Sequence, residues 1–186
     1  GGSVNVLEAI RRTDSVKALV SITSHKCYKN QEQIWSYREN DLLGGDDLYS
    51  ASKAMAELAI ASYRKSFFAN KKYAGYKNVA AASTRAGNVI GGGDFADYRL
   101  VPDCMRALMK NEPIIVRNPR STRPWQHVLV PLSGYLWLAV KLLEDEEKYS
   151  EAWNFGPLEN VGVTAREIAE KSVEFWRDGT WKHEGA

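Results

Sequence analysis

Asp46-Asp47-Leu48-Tyr49-Ser50-Ala51-Ser52-Lys53-Ala54-Met55-Ala56-Glu57-Leu58 runs on without Gly or Pro to about Phe68, and the remaining segments take their places relative to it. Asp46 or Asp47 can cap the first turn and Ala51 to Tyr63 is built of good helix formers, so a long helix is predicted. Tyr49 and Lys53 lie four residues apart and share one helix face, so the phenol and the ammonium can enter one site. A free phenol has a pKa near ~10, and a close cation and the positive end of a helix both favour the phenolate. Tyr49 can then take a proton from a sugar or alcohol hydroxyl near neutral pH. Spacing alone is weak evidence: 9 Tyr and 13 Lys in 186 residues give about 0.6 such pairs by chance. The second pair, Tyr73 and Lys77, encloses a Gly in a polar turn, where the two side chains need not share a face.

Outward from this helix the pattern alternates between strand and helix. Val4, Leu7 and Ile10 have helical spacing, with Ser3 as a plausible cap. Lys17 to Thr23 is nearly continuous in apolar character, as a parallel strand buried on both faces requires. Chemistry in open parallel sheets gathers at the carboxyl ends of strands, here Ser24-His25-Lys26-Cys27-Tyr28, which reads either as a site or as a plain loop. Lys29 to Gly45 is polar and aromatic, a loop that folds over a ligand or docks on the core. Asn78 to Arg85 gives a second buried strand, so strand, helix and strand form a right-handed parallel crossover. Arg85 and Asn88 fall at its carboxyl end beside Gly91-Gly92-Gly93, a turn whose N–H groups can approach phosphate or which is merely flexible.

Further on, Leu100 to Met109 is predicted helical with Pro102 in the first turn, and Pro113 to Val116 is a short strand. Arg117, Arg120 and Arg123 sit in a turn-rich stretch that either grips a pyrophosphate or is solvated surface. Leu129 to Leu143 reads as a helix, Ala152 to Pro157 as a strand and turn, and Thr164 to about Arg177 as a Thr-capped helix.

With 44% hydrophobic and 26% charged residues, the chain can bury a core as one domain or one domain plus a small lobe. A net charge of +2 with interspersed signs recommends neither a nucleic-acid nor a membrane surface. No apolar run reaches ~18 residues and no signal peptide is visible, so the cytoplasm is the expected compartment. Cys27 and Cys104 form no framework, and His25, His127 and His183 have no metal-ligand spacing; no metal is expected.

Thr23 to Tyr28, Tyr49-Ser-Ala-Ser-Lys53, Arg85-Ala-Gly-Asn-Val-Ile-Gly-Gly-Gly-Asp94, Arg117-Asn-Pro, Arg123-Pro-Trp-Gln-His-Val128 and Trp153-Asn-Phe-Gly-Pro157 occur in the order and spacing of CDP-glucose 4,6-dehydratases. The chain resembles these extended short-chain dehydrogenases/reductases along essentially its whole length. The resemblance implies a partial Rossmann-like parallel sheet with flanking helices plus a small nucleotide-sugar lobe. Residues 1–96 correspond to the later half of a cofactor domain. Residues 97–186 are mixed, mainly substrate lobe with a returning helix and strand.

By the same resemblance NAD is the cofactor, and one sugar undergoes oxidation, elimination of water and reduction. Tyr49 takes the proton from the carbon 4 hydroxyl, and Lys53 lowers the phenol's pKa and holds the nicotinamide ribose. Ser24 hydrogen-bonds the carbon 4 oxygen, position 25 is the acid for the leaving hydroxyl, and Lys26 assists proton removal at carbon 5. Asn88, Arg99 and Arg123 match contacts to the substrate's phosphates or nucleotide, as do Arg117 and Asn154. Position 25 is acidic in the family pattern and is His25 here; histidinium can donate a proton, although adjacent Lys26 disfavours its charged form. The family's first strands, with their Gly-rich pyrophosphate turn, precede the counterpart of Val4, and its last segment follows the counterpart of Ala186. A homodimer through the Val4–Arg12 and Tyr49–Phe68 helices is expected. Three readings follow: a nucleotide-sugar dehydratase or its core, another short-chain epimerase or reductase, or a folded chain that binds nucleotide sugar or only itself.

Overall fold

Alternation of side chains along one buried strand, Ala80–Ala86, sets the architecture of the computed structural model, which describes residues 1–68, 77–157 and 162–185; the strand Ala18–Ile22, expected to be buried on both faces, is only partly covered. Tyr73 of the second Tyr/Lys pair lies outside the described residues. In chain order the elements are α1 (Gly2–Arg11), β1 (Ala18–Ile22), α2 (Leu48–Tyr63), β2 (Ala80–Ala86), β3 (Val89–Ile90), α3 (Leu100–Met109), β4 (Ile114–Val116), β5 (Thr122–Arg123), β6 (Gln126–His127), α4 (Leu129–Glu144), α5 (Glu146–Tyr149), β7 (Ala152–Phe155), β8 (Val163–Thr164), α6 (Ala165–Trp176) and β9 (Trp181–His183). A single 3-10 turn, His25–Cys27, follows β1, and α2 runs on into a π-helical turn, Arg64–Phe68. They divide between two compact units, Gly1–Gly87 with Val130–Phe155 and Asn88–Leu129 with Gly156–Ala186.

The first unit is built on a parallel sheet in the order β1-β2-β7, with Leu19 opposite Ala81 and Arg85 opposite Asn154. Along β2 successive side chains point to opposite faces. Val79 and Ala81 meet Leu7 and Ile10 of α1 and Ile60 of α2 on one side. Ala80 and Ala82 meet Leu138 and Leu142 of α4 on the other. Parallel strands covered by helices on both faces are the α/β, Rossmann-like arrangement expected from the sequence. Small residues let the layers close up: a Cβ on Gly134 of α4 would lie 2.2 Å from the Phe155 ring.

Capping agrees with the sequence at two helices and departs from it at one. Asp47 caps α2 by accepting from the Ser50 N–H, and Thr164 with Glu167 forms a capping box on α6. At α1 the expected cap, Ser3, lies inside the first turn; the helix starts at Gly2 behind Gly1, which has no side chain to accept a bond.

The second unit gathers α3, β4, α6 and β9 around Cys104, Leu108, Ile114, Val116 and Ala169. Its short strands pair as β3-β6 and β4-β9 in parallel and β5-β8 antiparallel. Cys27 and Cys104 are both buried free thiols, each pushed up to about 11 by burial. Among the described residues no helix is long and apolar enough to cross a membrane.

Leu142 is 1% exposed and holds α4 on β2. Leu142→Ala is expected to cost roughly 2–5 kcal/mol in denaturant unfolding, from lost burial plus the cavity left behind.

Candidate active site

The β1 strand delivers its chain end into a tight turn. The Thr23 N–H donates to the Thr84 carbonyl at 2.8 Å, so the ladder to β2 continues one residue past β1. Ser24 is extended, and its hydroxyl oxygen accepts from the Lys26 N–H at 3.2 Å, capping the His25–Cys27 turn. The His25 ring places Nδ1 2.9 Å from the Ala86 carbonyl. A carbonyl only accepts, so Nδ1 carries a proton and Nε2 is the nitrogen that gains and loses one. Lys26 is exposed and Ser24 is buried at the base of the turn.

The start of α2 packs against this turn. Ser50 donates both its N–H and its hydroxyl to Asp47, which holds the Asp47 carboxyl below the ordinary range. Gly45 is needed here, because a Cβ would lie 2.2 Å from the Ser50 Cβ and 3.0 Å from its backbone carbon. In this first turn Tyr49 is 55% exposed, and one turn on the Lys53 ammonium stands 5.5 Å from the centre of its ring. The two share one face, as their spacing requires. Among the described residues neither the Tyr49 hydroxyl nor the Lys53 ammonium has a protein hydrogen bond, so both are available to a ligand.

Beneath this face lies a buried polar network that the sequence reading passed over. Glu57, 2% exposed, pairs with Arg85, 4% exposed, at 2.6 Å. It also accepts from the hydroxyls of Ser83, at 2.8 Å, and Thr23. Arg85 donates from its other arm to the Tyr28 hydroxyl at 2.7 Å and the Glu39 carbonyl at 2.8 Å. Tyr28 in turn donates to Asn154 Oδ1 at 2.7 Å, and Asn154 Nδ2 donates to the Tyr37 carbonyl at 3.0 Å. Burial pushes the Glu57 carboxyl up, but Arg85, Thr23 and Ser83 outweigh it and the group is held below its ordinary range. Arg85 is likewise penalised by burial and raised on balance by Glu57 and Tyr28. The signal was a lone carboxylate in Ala54-Met-Ala-Glu-Leu-Ala-Ile-Ala61 and a lone cation in the strand Ala80–Ala86, opposite charges in two segments otherwise without charge.

Thus the first unit brings Ser24, His25 and Lys26 beside the helix that carries Tyr49 and Lys53, with Asn154 bonded into the network below. Asn88, Arg99, Arg117 and Arg123 belong to the second unit. There Asn88 Oδ1 is buried and has no partner among the described residues. Arg99 pairs with Asp94 at 2.9 Å, Arg123 donates to the Thr122 carbonyl at 2.7 Å, and Arg117 is exposed. The glycine turn is shaped by close approach, since a Cβ on Gly91 would meet Val128 Cγ1 at 2.6 Å, and Gly93 has φ +77°.

Residues 1–154 match the model of the NAD dependent epimerase/dehydratase family. The chain is 49% identical over 185 residues to a CDP-glucose 4,6-dehydratase of Salmonella typhimurium, a match covering 99% of this chain and 51% of that protein. Among solved structures, dTDP-glucose 4,6-dehydratase of Bacillus anthracis in complex with NAD superposes with a TM-score of 0.74 at 21% identity, over 100% of this chain and 55% of that one. A UDP-glucuronic acid 4-epimerase of Bacillus cereus, in complex with UDP-glucuronic acid and NAD, gives 0.76 at 15% identity over 97% and 52%. The chain therefore spans about half the length of the relatives it matches, and the two solved structures share its fold.

Removing one member of a buried ion pair strands the other, so Glu57→Gln is expected to cost about 3–5 kcal/mol in denaturant unfolding. A depressed carboxyl contributes stability above its unfolded value near ~4.3 and loses it as pH falls through the folded value. Wild-type stability is therefore expected to fall more steeply than that of Glu57→Gln on acidification below about pH 4, where unfolding midpoints compare the two.

Proposed function

Because the chain belongs to the NAD dependent epimerase/dehydratase family, we propose that it performs, or forms the core that performs, the conversion of CDP-glucose to its 4-keto-6-deoxy sugar. The observation that supports this reading is the packing of α2, the helix that carries Tyr49 and Lys53, against the turn after β1 that carries Ser24, His25 and Lys26. Those are groups for two proton removals and one proton delivery, which oxidation followed by elimination requires. The 49% identity to a CDP-glucose 4,6-dehydratase supports the substrate.

The free Tyr49 hydroxyl and Lys53 ammonium fit the nicotinamide-ribose end of NAD, a cofactor present in both solved relatives compared above. When bound, NAD supplies the acceptor and later the donor of a hydride. Tyr49 removes the proton from the carbon 4 hydroxyl while Lys53 stabilises the phenolate and orients the ribose. Ser24 donates to the carbon 4 oxygen. The resulting ketone acidifies carbon 5, from which Lys26 assists proton removal, and His25 delivers a proton to the departing carbon 6 hydroxyl. The Ala86 carbonyl fixes the ring so that Nε2 is the delivering atom. Asn88, Arg99, Arg117 and Arg123 are assigned to the phosphates and nucleotide. Asn154, whose amide is bonded to Tyr28 and Tyr37, meets the sugar only by exchanging those bonds.

His25 also favours a second reading, in which the sugar is oxidised and epimerised or reduced without loss of water. Incubation with NAD and CDP-glucose, followed by mass spectrometry, separates the two: a product 18 Da lighter than substrate is expected, and turnover without that loss would contradict dehydration. Tyr49→Phe is expected to reduce turnover by about 100-fold or more, and His25→Asp to retain the dehydrated product.

For assembly we propose a homodimer through α1 and α2, whose Val4, Val6, Leu48, Met55 and Leu58 are exposed apolar side chains on the first unit. Light scattering at micromolar concentration is expected to give twice the chain mass, and Leu58→Glu to return it to one. A wild-type monomer would contradict this assembly.

A further inference from the structure

The face of α2 turned to the sheet is built mostly of small side chains. Its buried side chains are Ser50, Ala54, Glu57 and Ile60, and Ala51, Ala56, Ala59 and Ala61 add little relief. Small side chains give such a face little grip against a rotation of one residue, about 100°, or a slide of about 1.5 Å along the axis, and Ile60 anchors only its far end in the apolar core. Glu57 is the exception: it is fully buried and directional, and its partners come from separate places in the fold. Thr23 is the residue before Ser24, while Ser83 and Arg85 stand two residues apart on β2. Lys53 and Tyr49 are one and two helical steps of four residues back from Glu57, on the same rigid helix.

From this geometry we infer that Glu57 and Arg85 are positioning residues, which set the rotation and height of α2 and thereby place Tyr49 and Lys53 against the Ser24–Lys26 turn. The roles given to Tyr49, Lys53 and the turn rest on the function proposed above. Arg85 extends the same control to the turn itself. Its guanidinium holds the Tyr28 hydroxyl and stands 5.0 Å from the centre of the Tyr28 ring, and Tyr28 directly follows the turn that carries His25 and Lys26. One ion pair therefore registers both halves of the site, helix and turn, against β2. A buried pair used for register has that as its best-attested purpose, since its net contribution to stability is small relative to an apolar replacement.

The test uses the full chain labelled with 13Cε tyrosine, with the Tyr49 signal identified by its loss in Tyr49→Phe. Glu57→Gln and the milder, near-isosteric Thr23→Val are compared with Leu142→Ala, which weakens the opposite face of the same sheet. Glu57→Gln and Thr23→Val are expected to move the Tyr49 resonance and its titration midpoint, while Leu142→Ala lowers the unfolding midpoint and leaves both unchanged. A Tyr49 signal that is unmoved by Glu57→Gln and Thr23→Val, or moved as far by Leu142→Ala, overturns the inference; should Glu57→Gln not fold, Thr23→Val decides. In the dehydratase assay, misplacement of the base is expected to lower kcat by roughly 10- to 100-fold with KM for the sugar nearly constant. Absence of turnover in every variant, wild type included, would sink the proposed reaction while the Tyr49 titration still decides the positioning role.

Discussion

The buried contact between Glu57 and Arg85 is the constraint on which the first unit depends. Two charges removed from water are tolerated when most of their lone pairs and protons find partners, and here Arg85 Nε is left without one among the described residues. Here the carboxylate collects Arg85, Thr23 and Ser83, and the guanidinium collects Glu57, Tyr28 and the Glu39 carbonyl. Satisfying those groups draws together the end of β1, the middle of α2, the loop through Glu39 and, through Tyr28 and Asn154, the strand β7. The face proposed to be functional is a by-product of that closure: seating Glu57 fixes where Lys53 and Tyr49, on the same helix, are held.

Apolar packing supplies the cohesion that this polar network organises. The alternation Val79, Ala81 and Ala80, Ala82 separates the two helical layers with side chains too small to interlock strongly. Such a core lets helices approach closely, as Gly134 does over Phe155. It leaves register to be decided elsewhere. This division of labour accounts for a fully buried charge in a helix whose neighbours are mostly alanine.

Much of the fold was legible because its signals are local. The continuous apolar run before Ser24, the uninterrupted helix formers after Tyr49 and the Thr164-x-x-Glu167 box each report on a few adjacent residues, and each appears where expected. Ser3 failed as a cap because an N-cap depends on where the first helical bond forms, which nearby sequence sets only to within a residue or two. The candidate site was legible in part. Tyr49 and Lys53 could be joined because a helix fixes their relation, and the strand end placed Ser24 to Lys26. Glu57 could not be recognised from its neighbours, since its meaning comes from Arg85, 28 residues away. Asn154 likewise faces Tyr28 across 126 residues of chain. Long-range polar pairs leave only an oddity in the sequence: a charge where an apolar residue would serve.

In the function proposed here, Tyr49 and Lys53 form the nicotinamide-facing end of a nucleotide-sugar site, held in place from below. Calorimetric titration of the chain with NAD in the presence of CDP-glucose, repeated on Lys53→Met, probes that placement. Saturable binding is expected, weakening at least about tenfold, some 1.4 kcal/mol, when the ammonium is removed. Absence of NAD binding, or equal affinity in the two proteins, would contradict it.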